Sequence, residues 1–158
     1  MNPKRDHAGI FVPPPFLYAI PFAAGMLLHR TVGGDSFPPS IAPAARIAGL
    51  ALLAAGILLA LASEILFARA GTSAIPIRPT QAIVTGGPYR FTRNPMYLSL
   101  AIDYVGLTLV VGYAWPFAGL LVAILAVDRY AIPREERYLE GKFGDSYRQY
   151  RQSVRRWL

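Results

Sequence analysis

The stretch AGLALLAAGILLALASEILFA, Ala48 to Ala68, decides how the chain is read. It is apolar on all sides and carries one charge, Glu64. Its length matches the ~20 residues that cross a bilayer core. Three further apolar segments flank it, giving four expected helices over about 10–28, 47–68, 96–114 and 115–132. The chain has 158 residues, 54% of them hydrophobic and only 16% charged. These values fit one small polytopic membrane domain and not an ordinary soluble one. The first segment contains Pro13, Pro14, Pro15 and Pro21 and has no tidy small-residue cleavage site, so it reads as a retained helix and not a signal peptide.

Charge placement supplies an orientation. Lys4 and Arg5 precede the first segment, and Arg30 and Arg46 flank Asp35 in the first connection. The second connection holds Arg69, Arg78, Arg90 and Arg93, and the third, around Tyr113 and Trp115, holds no basic residue. Seven basic residues follow the fourth segment. Positive-inside bias then puts both termini and the 69–95 loop in the cytoplasm. The formal charge of +7 suggests anionic lipid headgroups and not nucleic acid, because the basic residues border apolar segments. With no cysteine, disulfides and thiolate metal sites are excluded. Two histidines, His7 and His29, are too few for a histidine-rich metal centre, so no metal is expected.

After Pro133, the residues Tyr138, Leu139, Phe143, Tyr147, Tyr150 and Val154 recur at helical spacing among charges. They predict an amphipathic helical tail over 133–157, broken near Gly144, lying on the membrane or folding back over a cavity. The fold class is therefore all-α: about four transmembrane helices and a cytoplasmic amphipathic C-terminal region.

Chemistry has three places to sit. Glu64, Asp103 and Asp128 are carboxylates within or at the ends of apolar segments. Such residues usually face a partner or a cavity. The loop GGPYRFTRNPMY, Gly86 to Tyr97, combines turn-forming glycines and prolines with two arginines and two tyrosines. Pro95 suits the first turn of the third helix and Asn94 its cap. The free N–H groups there, with Arg90 and Arg93, favour an anion, and Tyr89 and Tyr97 offer flat faces for a cation. On physics alone, a well-capped, positively flanked membrane helix explains the loop slightly better. Arg134-Glu135-Glu136 is ordinary for a helix start, and functional only if it meets this loop. P-loop, dinucleotide, nucleophile-elbow and H-E-x-x-H signatures are absent.

Together, VTGGPYRFTRNPMY (Val84–Tyr97) and EERYLEGKFGDSYRQY (Glu135–Tyr150) resemble the isoprenylcysteine carboxyl methyltransferase and phospholipid methyltransferase group of integral membrane enzymes. That group follows V-x-x-G-x-Y-x-x-x-R-H-P-x-Y with E-E-x-x-L-x-x-x-F-G-x-x-Y-x-x-Y. The resemblance covers about Gln81 to Leu158. It implies S-adenosylmethionine in a pocket built around a cofactor loop, 81–97. By position, cofactor contacts fall on Gln81, Ala82, Ile83, Val84, Tyr89, Asn94, Pro95, Met96, Tyr97, Glu135 and Glu136. Arg129 and Arg134 are candidates for meeting the acceptor, and Glu135 joins them as a candidate catalytic residue. Asn94 stands where the family has histidine, and an amide cannot carry a proton at neutral pH. The resemblance implies a lipophilic or membrane-accessible acceptor: an isoprenylcysteine carboxylate, a phospholipid amine or a thiol. Two alternatives stand beside it: a membrane reductase using NADPH, and a non-catalytic protein that retains the fold. The small residues Ala45, Gly49, Ala51, Ala55 and Gly56 suit close helix packing.

Overall fold

A computed structural model describes residues 6–34, 36–73 and 78–158, so Lys4, Arg5 and Asp35 lie outside the described residues. All secondary structure among the described residues is helical apart from one isolated bridge, Ser36 to Tyr113. The helices are α1 (Pro14–Val32), α2 (Ala42–Arg69), α3 (Pro95–Val111), α4 (Trp115–Ala126), α5 (Ile132–Phe143) and α6 (Asp145–Ser153). A 3-10 turn spans Gly87–Arg90, and a π-turn, Val127–Ala131, joins α4 to α5.

α2 packs chiefly on α3, and α1 on α4. The first pair is close because its contact residues lack side chains. A Cβ on Gly49 would lie 2.6 Å from the Gly106 carbonyl oxygen, and one on Gly106 would lie 2.8 Å from that of Gly49. Gly56 gives way to the Asp103 carboxylate in the same seam. Of the small residues on α2, Gly49 and Gly56 are buried in this contact, whereas Ala51 and Ala55 face outward. Between α1 and α4, Gly25 meets the Pro116 backbone. The Tyr104 hydroxyl donates to the Pro116 carbonyl at 2.8 Å.

Among the described residues, two helices are long and apolar enough to cross a membrane: Ala42–Arg69 and the continuous rod Trp115–Phe143. Pro95–Val111 is apolar but shorter. Ile47, Leu50, Ile57, Leu58, Leu61 and Ile65 of α2, with Leu121, Val122 and Leu125 of α4, present aliphatic side chains outward. This is the surface a helix shows to lipid.

Several helix boundaries differ from those read in the sequence, among them the ends of α1 at Val32 and α3 at Val111. α1 starts at Pro14, because consecutive prolines are accommodated where N–H groups have no helical partner anyway. α2 begins five residues before Ile47, with a proline in its first turn. The fourth span and the first tail helix are one rod, with no break at Pro133. Proline cannot donate and its ring crowds the carbonyl four residues back. Here the π-turn absorbs the mismatch, and the Ile132 N–H bonds to the Val127 carbonyl. The break expected near Gly144 is present: this residue, at φ 56°, separates α5 from α6.

The chain runs up and down, so one end of the bundle gathers the start of α1, the end of α2, the start of α3 and α5–α6. At the other end His29 stacks on Tyr113 with ring centroids 3.6 Å apart. There Trp115 Nε1 donates to the Gly33 carbonyl at 3.0 Å.

Candidate active site

A cavity of about 440 Å³ opens at the first of these ends. Its walls come from stretches far apart in sequence: the approach to α1, the end of α2, the 80–84 strip, the 89–100 loop and helix start, and α5–α6.

The loop is shaped by its turn residues. Gly87, at φ 55°, opens the 3-10 turn, and Leu66 packs where a Cβ would stand. This turn buries the Tyr89 ring against Phe67, edge-on at 5.4 Å. The Tyr150 hydroxyl fixes it from the other side by donating to the Tyr89 carbonyl at 2.8 Å. Burial pushes the Tyr89, Tyr147 and Tyr150 hydroxyls up from the ordinary phenol range, so all three stay protonated at neutral pH.

Asn94 precedes α3 but does not cap it with its side chain. Its Nδ2 donates instead to the Arg156 carbonyl at 2.8 Å, and the Thr92 hydroxyl donates to the same oxygen at 3.0 Å. The Arg93 N–H donates to the Arg155 carbonyl at 2.9 Å. The residues after α6 thus strap the loop in place. The Arg156 side chain extends the strap: Nη2 and Nε reach Glu136 at 2.8 and 3.3 Å, and Nη1 reaches Asp128 at 3.2 Å. Trp157 Nε1 donates to Asp128 at 3.0 Å.

Glu135 projects from the first turn of α5, and Glu136 follows it. The Tyr97 hydroxyl donates to Glu135 Oε1 at 2.8 Å, which joins the two motifs across the cavity. The Tyr18 hydroxyl donates to the Tyr97 carbonyl at 3.0 Å and braces the start of α3. Over the top, the Tyr138 hydroxyl donates to Asp6 Oδ1 at 2.8 Å and accepts from the Thr80 N–H at 3.1 Å. Lys142 pairs with Asp6 at 2.7 Å. This latch holds Ala8 and Ile10 over the cavity.

The structure brings Ala82, Ile83, Val84, Tyr89, Asn94, Pro95, Met96, Tyr97, Glu135 and Glu136 to one cavity wall. Gln81 stands outside it, exposed, with its N–H on Thr72 Oγ1 at 2.7 Å. Arg129 is turned away, its side chain 81% exposed beside Asp128. Arg134 bonds the Tyr130 carbonyl at 2.8 Å and lies over the Tyr130 ring, off the cavity lining. Glu64 lines the cavity, whereas Asp103 faces a separate groove with Tyr18, Phe22 and Leu53. Sequence reasoning did not anticipate the strap residues Arg155 to Trp157 or the cover at Ala8 and Ile10. The only trace of the strap was the surplus of arginines after α6.

A phospholipid methyltransferase domain is matched over residues 44–146. The chain belongs to the phospholipid methyltransferase family. A Haemophilus influenzae protein, itself described only as uncharacterized, is 49% identical over 63 residues, which is 40% of this chain and all of that protein. The protein-S-isoprenylcysteine O-methyltransferase of Schizosaccharomyces pombe is 36% identical over 75 residues, 46% of this chain and 30% of that enzyme. The chain therefore matches less than a third of that enzyme's length. No solved structure matches.

Proposed function

We propose that the protein is an integral membrane methyltransferase that takes its methyl group from S-adenosylmethionine and delivers it to a lipophilic or membrane-accessible acceptor. The observation that carries this reading is the meeting of the Ala82–Tyr97 strip and the Glu135–Glu136 turn around one cavity, joined by the Tyr97–Glu135 hydrogen bond. The family supports the same chemistry.

The residues suit such a cofactor. A cavity of 440 Å³ falls within the ~300–1,000 Å³ of small-molecule sites. Its lining combines apolar walls with aromatic faces and carboxylates, which favour a sulfonium cation. When bound, S-adenosylmethionine supplies an electrophilic methyl on that sulfonium. The chain itself orients and dries the site. The strap and Tyr150 fix the loop, Tyr97 holds Glu135, and Ala8 and Ile10 exclude water from above. Methyl transfer needs alignment and water exclusion more than a proton relay, so Asn94 is tolerable where the family has histidine.

In this reading α1 and α3 join α2 and the Trp115–Phe143 rod as four spans. The cavity end, bordered by Arg69, Arg90 and the arginine-rich tail, faces the cytoplasm. The acceptor is an isoprenylcysteine carboxylate, a phospholipid amine or a thiol. The test is calorimetric titration of detergent-purified protein with S-adenosylmethionine, S-adenosylhomocysteine and NADPH. Saturable binding of the first two and not the third is expected. Binding of NADPH alone refutes the proposal in favour of a reductase, and binding of none, by folded protein, in favour of a non-catalytic role.

A further inference from the structure

Among the described residues that line the cavity, Arg93 has two buried nitrogens, Nε and Nη1, without an aligned hydrogen bond. Its side chain is 10% exposed and lies on the cavity wall. Nη1 stands 2.9 Å from Glu136 Oε1, yet neither Nη1 nor Nε makes an aligned hydrogen bond. Glu136 does not need Arg93, because Arg156 already donates to both of its oxygens. Arg93 is held in position by its backbone bond to Arg155 and by a hydrogen bond between its guanidinium and the Tyr147 hydroxyl, which leaves Nε and Nη1 uncommitted. No other ion pair engages it among the described residues. A buried guanidinium with uncommitted N–H groups is costly unless a partner arrives.

We infer that Arg93 is a carboxylate receptor inside the cavity, receiving a singly charged carboxylate of a bound ligand. A planar guanidinium suits a carboxylate, whereas a doubly charged phosphate would be repelled by Glu135 and Glu136 on the same wall. Within the proposed methyltransferase reading, on which this inference rests, two carboxylates qualify: that of the cofactor's amino-acid end, and that of a carboxylate acceptor.

The test titrates full-length wild-type, Arg93→Gln and Arg93→Lys proteins in detergent, each with its thermal transition recorded. The probes are S-adenosylhomocysteine and 5′-methylthioadenosine, which lacks the amino-acid end. A second pair is N-acetyl-S-farnesylcysteine and its carboxamide. If the cofactor supplies the carboxylate, Arg93→Gln loses about 10- to 100-fold in S-adenosylhomocysteine affinity and nothing for methylthioadenosine, with Arg93→Lys intermediate. If the acceptor supplies it, both nucleosides bind normally. Arg93→Gln then no longer distinguishes the farnesylcysteine carboxylate from its amide. Wild-type protein that binds neither nucleoside overturns the methyltransferase reading and this inference together. Wild-type protein that binds S-adenosylhomocysteine, with Arg93→Lys and Arg93→Gln unchanged toward all four probes, overturns the inference alone and leaves Arg93 a structural partner of Glu136.

Discussion

Replacing Arg156 by methionine tests the strap most directly. The change keeps much of the side-chain volume and removes three charged hydrogen bonds, two to Glu136 and one to Asp128. Glu136 is 6% exposed and would keep only the misaligned Arg93 as a counter-ion. Removing one partner of a fully buried pair costs about 3–5 kcal/mol. Arg156 is 32% exposed, so solvent screens part of that, and about 2–3 kcal/mol is the expected loss. For a chain of this size that is a fall of about 4–12 °C in Tm. The bonds from the Thr92 hydroxyl and the Asn94 side-chain amide go to the residue 156 backbone carbonyl and survive the substitution, so the loop loosens without detaching. The assay is thermal unfolding in detergent of the Arg156→Met, Glu136→Gln and double variants. A coupling of at least about 1 kcal/mol is expected, since the two side chains touch. Additive effects, or a Tm change under about 1 °C for Arg156→Met, would refute the assignment of Arg156 as Glu136's principal partner.

Tyr97→Phe removes the hydrogen bond to Glu135, worth about 0.5–1.5 kcal/mol. Affinity for S-adenosylhomocysteine should fall about 2- to 10-fold by calorimetry, with little change in fold by circular dichroism. Gly49→Ala and Gly106→Ala each drive a Cβ into backbone of the facing helix and should cost about 1–3 kcal/mol, read as lowered Tm. Arg129→Ala touches a side chain 81% exposed and should leave nucleoside affinity within about 2-fold, since surface changes usually stay within 0.5 kcal/mol. The Asp6 latch carries a pH signature. The hydrogen bonds from Lys142 and then Tyr138 hold the Asp6 carboxyl below the ordinary aspartate value. Its contribution is therefore full above about pH 4 and is lost as pH falls through the lowered value. Hydrogen-exchange protection at Ala8 and Ile10, taken relative to the intrinsic rate at each pH, should fall selectively on acidification, and Asp6→Asn should show the low protection at every pH.

Much of this architecture was legible because the bilayer constraint is strong. Ala48–Ala68 had to be one helix, and the two motifs had to meet if they shared a site. The less legible parts have local physical causes. Pro133 reads as a helix start by its missing N–H, but a π-turn satisfies the same constraint without a break, and nothing in VDRYAI announces one. Asn94 reads as a cap, but its amide finds a better-placed acceptor in Arg156, sixty-two residues away in sequence. Arg155 and Arg156 are indistinguishable by type from the solvated arginines around them. Only the fold decides which of them meets Glu136. The small residues of α2 were visible, but not that Gly106 on α3 completes the seam.

The π-turn also sets where the rod tolerates a lost residue. A π-turn holds one residue more than the α-turn it replaces, so deleting one of Val127 to Ala131 allows an uninterrupted α-helix while the segments on either side keep their relative phase. A deletion from the regular part of α4 has no such slack: everything beyond it turns by about 100° around the axis and shifts by about 1.5 Å along it. Glu135 then swings out of reach of Tyr97, and Glu136 away from Arg156. A single-codon deletion inside α4 therefore aims the acidic pair at the wrong neighbours, whereas the same deletion in the π-turn leaves the pair in place.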